Sequence, residues 1–475
     1  MKSIHMTYKI KLIIIFILAL IVRTGILIRH HHTYYVSGLT QGLLARNIIK
    51  GKGLVVGEEE SRMLCKLQEE KKQLIDVSEI TDFEDDIYYP QIFDMPGHGI
   101  LLAGIWKLTN NYRYIYVQVL QILIDSLMVF LLFLIVKDLF GEKSAVITAF
   151  LYSIYLPQAF LSVHPLRDCW PMFIGIIVIY LIIQYFKYSG FLLPFLAGLI
   201  IGIGAYLRPN VVYLAIFCSI FAVLYLGKKR AVRLALISSI VVIFLLLPWW
   251  VRNYRIYHKF IPLSANFGAA LWGGLGIVSN PYGFEYSDAA ADKYVQEMGY
   301  NYRYGTPEFS DVLLKKTLKV IKTHPFFYLK TILYRIPKAL IPGIPWGIEP
   351  KDFNFVPKWS FYLWKEVTGR GLIDYAKAHP FIFGYKLARR GITVILFILA
   401  LLGIWLKRKQ YVKVFLLISI PFYFILIHST VTYPNDRYLL PGTWVYLVFS
   451  AVFIENLWER WKQSRQTRFE TGEKE

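Results

Sequence analysis

The stretch Tyr88-Tyr89-Pro90-Gln91-Ile92-Phe93-Asp94-Met95-Pro96-Gly97-His98-Gly99 is a polar, turn-forming passage set between apolar sequences. Before it, residues 10–28 form one continuous apolar run, and after it further apolar runs follow one another almost to the C-terminus. Residues 28–104, which contain the passage, are therefore the first loop outside the membrane if the N-terminus lies inside. Acids set this loop apart. Residues 58–86 hold eleven carboxylates (Glu58, Glu59, Glu60, Glu69, Glu70, Asp76, Glu79, Asp82, Glu84, Asp85, Asp86) against four cations (Arg62, Lys66, Lys71, Lys72), whereas the whole chain carries +21.

A chain of 475 residues that is 56% hydrophobic and 17% aromatic, with a mean hydropathy of +0.45, has more apolar surface than a soluble core can enclose. It reads as an all-α polytopic membrane protein. The apolar runs approach the ~20 residues a helix needs to cross ~30 Å of hydrocarbon, and they are continuous where barrel strands would alternate. The Lys and Arg excess sits at the ends of these runs, as topology signals and headgroup contacts, so nucleic acid is not an expected partner. Cys65, Cys169 and Cys218 are scattered singly and carry no redox argument. The first run ends in Arg29-His30-His31-His32 with no small-residue cleavage site, and is read as a retained helix.

Lys2, Lys9 and Lys11 place the N-terminus inside, and alternation orders the rest. Ten spans are expected, near residues 10–28, 115–136, 144–162, 170–186, 191–207, 211–226, 232–250, 391–406, 411–428 and 439–457. The basic turns at 137–143, 227–230 and 407–409 fall inside; a long mixed segment follows the seventh span, with a helix near 309–322 and a half-apolar, Pro-broken stretch at 329–346 suited to the interface. The organisation expected is an N-terminal transmembrane module (1–254) with its first outer loop (29–98), an outer or interfacial segment (255–388), closing helices (389–458) and a cytoplasmic tail (459–475). Five polar interruptions, at 82–98, 164–168, 208–210, 252–255 and 435–437, then meet on the outer face.

Several residues there can carry chemistry. Arg23 in the first span and Asp125 in the second are ionisable groups at membrane depth, where charge is costly unless paired or hydrated; Arg23 could equally snorkel to the headgroups and Asp125 cap a neighbouring helix. Arg208, Arg252 and Arg437 stand at outer helix ends against the positive-inside bias and ask for an anion such as a phosphate or diphosphate, with Arg167 beside them. Asp168 either supports the dipole of the fourth span or faces the outer cavity. Asp94, Asp86 and Asp85 are candidate bases. Glu84, His98, His164 and His428 are the groups from which a divalent metal site could be drawn, although no HxH or HExxH spacing occurs. The remainder of the acidic run reads as a solvated, mobile face, with only 82–94 adjoining elements that would hold a carboxylate still.

The order of these signals resembles the polyprenyl-phosphate-sugar glycosyltransferases of family 39, the protein mannosyltransferase and lipid A aminoarabinose transferase group with the GT-C fold. The matching segments are Leu44-Ala45-Arg46-Asn47-Ile48-Ile49-Lys50-Gly51-Lys52-Gly53; Pro96-Gly97 with Leu101-Leu102-Ala103; Pro165-Leu166-Arg167-Asp168; Gly202 to Leu207 followed by Arg208-Pro209; Pro248-Trp249-Trp250-Val251-Arg252-Asn253-Tyr254 with 260–266; His324-Pro325-Phe326-Phe327-Tyr328-Leu329-Lys330; and Arg437-Tyr438-Leu439-Leu440-Pro441. The resemblance implies a GT-C-like bundle of about ten or more spans with a large first outer loop. It also implies a membrane glycosyltransferase that moves a sugar, with inversion, from a polyprenyl-phosphate donor to an acceptor lipid, glycan or protein at the outer face of a bacterial inner membrane. In one respect the chain departs from the family, which places an Asp and, four residues on, a Tyr where Ser37 and Gln41 stand. The base is then expected among Asp82, Glu84, Asp85, Asp86 and Asp94, with Asp94 or Asp86 foremost and Asp168 orienting substrate. A lipid-linked sugar flippase or a catalytically degenerate member is the alternative.

Overall fold

A computed structural model describes residues 2–31, 40–71, 74–344, 377 and 380–471. His32, Ser37 and most of 345–379, including the end of the half-apolar stretch, lie outside the described residues. The chain begins with α1 (Lys2–His30), then builds the first loop from α2 (Thr40–Ile49), β1 (Val55–Gly57), α3 (Glu58–Lys71), β2 (Tyr88–Pro90) and α4 (Gly97–Thr109). The bundle continues with α5 (Ile115–Phe140), α6 (Glu142–Ser153), α7 (Leu156–Val163), α8 (Trp170–Lys187), α9 (Leu192–Leu207), α10 (Leu214–Leu226) and α11 (Lys228–Tyr257). After α12 (Phe267–Leu275), α13 (Asp288–Glu297), α14 (Pro307–Thr323) and α15 (Pro325–Leu340), the chain closes with α16 (Pro380–Leu406), α17 (Tyr411–Val431) and α18 (Trp444–Thr471). Every one of the ten expected spans falls on helix among the described residues. Among the described residues seven helices can cross a membrane by length and composition, two further spans are bent pairs, and Leu192–Leu207 is a shorter apolar helix.

Side-chain contacts sort the helix ends. At one end Lys137 pairs with Glu142 (2.6 Å), Lys187 with Asp138 (2.6 Å) and Lys143 with Glu459 (2.5 Å), while Lys413 donates to Leu139 O (2.6 Å). At the other, Gln118 Nε2 donates to His31 O (3.2 Å) and Val163 O (2.9 Å), and Gln121 Nε2 donates to Leu166 O (2.7 Å). The basic turns and the polar interruptions thus occupy opposite ends, as alternation requires.

The third span is broken. α6 and α7 meet at 51°, because the chain leaves the helix at Ile154 and Tyr155 and Pro157 restarts it, where a missing amide is harmless. Arg23 fills the gap: its guanidinium donates to Ser153 O (3.0 Å), the carbonyl that Pro157 has no amide to meet, and to Tyr152 O (3.4 Å), which also accepts from Tyr155 N, and its Nε reaches Asp125 Oδ2 at 2.5 Å. Tyr152 and Gln158 complete the carboxylate's partners. Both charges are fully buried, so Arg23 does not snorkel and Asp125 caps no helix; each neutralises the other.

Two further expectations need correction. The seventh span does not stop near Trp250: α11 runs through Pro248 to Tyr257, its far end held by Trp249 and Trp250, whose indoles donate to Leu263 O (2.6 Å) and Pro262 O (2.7 Å). Nor is the acidic run a mobile face. Residues 58–71 form α3, β1 pairs with β2 (Val56 opposite Tyr89), and Val56, Leu64, Ile75, Val77 and Ile80 pack with Leu43, Leu44, Leu102, Trp106 and Tyr114 in a core of their own. Glu60, fully buried, is satisfied by Asn47 (3.0 Å) and Tyr88 (3.1 Å). Acids on one side of α3 leave its other side free to be apolar, which charge density alone does not reveal.

Removing one member of the intramembrane pair strands the other. Asp125→Ala is expected to cost about 3–5 kcal/mol, read as earlier thermal unfolding of the detergent-solubilised protein, whereas the joint change R23M/D125L recovers most of that loss.

Candidate active site

Pro209 starts the construction. The residue before a proline is pushed out of helical geometry, and Arg208, with φ −148° and ψ 110°, is extended at the end of α9. Its guanidinium leaves the helix axis and meets Asp168, with Nη2 2.8 Å from Oδ1. Asp168 lies in a 3-10 turn (Arg167–Cys169) ahead of α8, held from behind by Gln121, whose Nε2 bonds Leu166 O and lies 3.0 Å from Cys169 Sγ. Arg437, in the short turn between α17 and α18, approaches the second oxygen of Asp168 (Nε to Oδ2, 3.5 Å). The carboxylate is 4% exposed and serves two guanidinium groups at once.

Asp94 enters from the first loop. Gln91 Nε2 donates to Asp94 O (3.0 Å), and Arg167 Nη2 lies 2.6 Å from Asp94 Oδ1. Pro96 then opens α4, and Gly97 is there of necessity: a Cβ would lie 2.5 Å from the backbone carbon of Tyr206, so the first turn of α4 seats directly on α9. His98, buried on the same turn, lies with Nε2 3.1 Å from Pro165 O; since a carbonyl can only accept, that nitrogen carries the proton. Burial and the nearby Arg167 hold His98 down to about 4.

Three of the four candidate arginines (Arg167, Arg208, Arg437) and two of the six candidate acids (Asp94, Asp168) therefore converge. Around them stand Tyr438, which sequence reasoning did not assign to the site, and His428, which it named only as a possible metal ligand. The ring of Tyr438 lies under Arg208 (4.7 Å) and Arg437 (4.9 Å), its hydroxyl accepts from Arg437 Nη2 (2.9 Å), and His428 stacks on it (5.2 Å, 24°). Asn210 Nδ2 lies 3.2 Å from His428 Nε2. The adjacency of Tyr438 to Arg437, and of Asn210 to Arg208-Pro209, was the available signal. Beyond the cluster Phe93 contacts Tyr304 (5.5 Å), whose hydroxyl donates to Asp288 (2.9 Å); desolvation, and then the carboxylates of Asp288 and Asp94, raise that phenol above its ordinary value.

Other candidates lie elsewhere. Arg252 stacks on Trp249 (4.8 Å) and donates to Gln91 O (2.7 Å) and Leu54 O (3.2 Å), clamping both strands of the first loop instead of joining the cluster. Asp86 accepts from Glu59 N (2.9 Å) and Glu60 N (3.2 Å), the amides that open α3. Asp85 and Glu84 are exposed on the loop, and buried His164 bonds through Nδ1 to Phe160 O. Glu84, His98 and His164 do not come together. Among the described residues no group of three or more His, Cys, Asp or Glu could hold a metal ion, and the two carboxylates of the cluster are taken up by guanidinium groups. The donor set does not fit a dedicated divalent-metal centre, and no step below runs through one.

The architecture is that of the membrane proteins of GT-C fold. No protein-family model matches the chain and no curated protein matches it by sequence. Solved structures do match. The chain is similar to the apo oligosaccharyltransferase of Archaeoglobus fulgidus (TM-score 0.54, 14% identity, covering 96% of this chain and 52% of that one). It is also similar to the same archaeal enzyme, AglB, in complex with an inhibitory peptide and a dolichol-phosphate (TM-score 0.52, 13% identity, 98% and 52%), and in complex with zinc and sulfate (TM-score 0.51, 13% identity, 96% and 50%). The likeness is one of fold, and this chain spans about half the length of those it matches.

His98 gives the site a pH signature. Its folded value lies near 4 against 6.5 for the free side chain, so between those values the unfolded chain binds a proton that the folded chain refuses. Stability is full above pH 6.5 and falls as pH drops toward 4, by up to about 3 kcal/mol from this group. Thermal unfolding across that range should decline less steeply in H98N.

Proposed function

We propose that the chain is a membrane glycosyltransferase that moves a sugar from a polyprenyl-phosphate donor to an acceptor hydroxyl at the outer face of a bacterial inner membrane. The observation that carries this reading is the convergence of Arg167, Arg208 and Arg437 on only two carboxylates, at one end of a bundle with the GT-C fold. Three guanidinium groups are more positive charge than Asp94 and Asp168 neutralise, and planar donors of this kind suit a phosphate. The dolichol-phosphate in the AglB complex supports a lipid phosphate as the ligand of this architecture.

In this mechanism the lipid phosphate enters from the bilayer and lies against Arg208 and Arg437, whose spacing Asp168 and Tyr438 maintain. The acceptor oxygen attacks the anomeric carbon from the face opposite the phosphate. As that bond forms, the bond from the anomeric carbon to the phosphate oxygen breaks, its electron pair stays on the oxygen, and the guanidinium groups stabilise the charge that develops. Asp94 takes the acceptor proton. It is favoured over Asp86 because it faces the cluster, on a loop pinned by Gln91 and by the Gly97 contact. Inversion results, and no acid is needed for a phosphate leaving group.

Consumption of lipid-linked radiolabelled sugar by membranes containing the chain tests this. Asp94→Asn should lower transfer by about 10²–10⁴-fold at unchanged protein level. Asp86→Ala should leave transfer intact and lose about 1 kcal/mol of stability through its helix cap. Full transfer in Asp94→Asn would remove the mechanism, movement of label across the membrane without covalent transfer would identify a flippase, and binding of the lipid without turnover would identify a degenerate member.

A further inference from the structure

Of the seven full-length spans among the described residues, α1 is the least enclosed, with 22% of its apolar stretch buried. It packs on α5, α6 and α7. Toward its C-terminal end the seam with α6 is closed by Arg23, which bonds Ser153 O and Asp125. Nearer the N-terminus the two helices part. There Ile14 and Ile15 of α1 and Val146, Ile147 and Phe150 of α6 line an almost wholly apolar groove of about 300 Å³. Lys11, exposed and the lining residue nearest the start of α1, stands at its rim.

The groove lies at the basic end of the bundle. α1 starts there, since its last turn meets Gln118 at the opposite end, and α6 starts there too, where Lys143 pairs with Glu459 (2.5 Å). Three acids near the start of α6 are already engaged: Glu459 by Lys143, Glu142 by Lys137 and Glu455 by the Ser144 hydroxyl. Lys11 has no carboxylate partner among the described residues; its ammonium lies 5.5 Å from the centre of the Tyr8 ring, one turn earlier on α1. A lysine and a tyrosine together at the end of a span sit at the depth of lipid headgroups.

We propose that this seam binds one anionic phospholipid of the leaflet at the basic end, with an acyl chain in the groove and the phosphate on Lys11. An apolar gap left empty between two helices forfeits dispersion contacts along both walls, and a hydrocarbon chain restores them. Any lipid could supply the chain. The uncompensated ammonium selects the headgroup, because a zwitterionic lipid brings its own cation to the phosphate and phosphatidylglycerol does not. The arginine cluster occupies the other end of the bundle, so this lipid is not the donor of the transfer reaction, and the site is independent of that reaction. Its consequence is stability: the lipid ties the loosely held start of α1 to α6, completing a seam that Arg23 closes farther along, and binding to the folded chain alone raises its resistance to unfolding.

The test uses the full chain in nanodiscs of phosphatidylglycerol and phosphatidylcholine in equal parts, one of the two carrying a photoreactive diazirine in its acyl chain, with cross-linked peptides read by mass spectrometry. In wild type the phosphatidylglycerol probe should label the groove-lining residues of α1 and α6 about fivefold more than the phosphatidylcholine probe, the factor one lysine near an anionic headgroup supplies. Lys11→Gln should bring the two probes level there, and Lys11→Arg should retain the preference. Lys9→Gln, on the opposite side of α1, should leave it unchanged. Ile147→Trp, which fills the groove, should remove labelling by both probes. In detergent, added phosphatidylglycerol should raise the unfolding temperature of wild type and Lys9→Gln but not of Lys11→Gln. Equal labelling by the two probes in wild type, an undiminished preference in Lys11→Gln, or undiminished labelling in Ile147→Trp would overturn the site. Should Lys11→Gln fail to fold, the two probes in wild type and Ile147→Trp decide the matter.

Discussion

Asp168 is one carboxylate shared by two guanidinium groups, and that sharing joins three distant stretches of chain: the turn before α8, the end of α9 and the turn between α17 and α18. A buried carboxylate with a single partner would leave an oxygen uncompensated at considerable cost. With Arg208 on one oxygen and Arg437 near the other, each charge fixes the next, and Arg167 carries the chain of contacts on to Asp94. The cluster is therefore both a fastening of the helix ends and an excess of positive charge, and the second property is what makes it a candidate for binding an anion.

The same economy of charge recurs at membrane depth. Arg23 neutralises Asp125 and also satisfies the Ser153 carbonyl left by the break between α6 and α7. In hydrocarbon neither a charge nor an open carbonyl can turn to water, so the break in the helix and the pair of charges are one arrangement. The broken span in turn lets α7 run to His164 and Pro165, whose carbonyl meets His98 on the loop side.

The first loop shows how a charged segment becomes a rigid one. Its acids are distributed by role: Asp86 opens α3, Glu60 is buried among Asn47 and Tyr88, and Asp82 pairs with Arg46 (3.0 Å) and Lys50 (2.5 Å). Arg252 clamps the loop from α11. What remains for the site is Asp94, presented on a frame that α9, α11 and α4 hold from three sides.

The positions of the spans, their basic ends and the gathering of polar interruptions at one end were legible in the sequence, because hydrocarbon thickness and the cost of exposed backbone act on composition alone. Arg167, Arg208, Arg437, Asp94 and Asp168 could be named from their places at helix ends. Which of them meet could not, since Arg252 and Arg208 occupy similar sequence settings and differ only in what packs opposite them. The folding of residues 58–71 and 74–80 and the pairing of Arg23 with Asp125 were likewise decided in three dimensions. A carboxylate or an ammonium takes its role from the partners within about 4 Å of it, and those partners come from elements far apart in the chain.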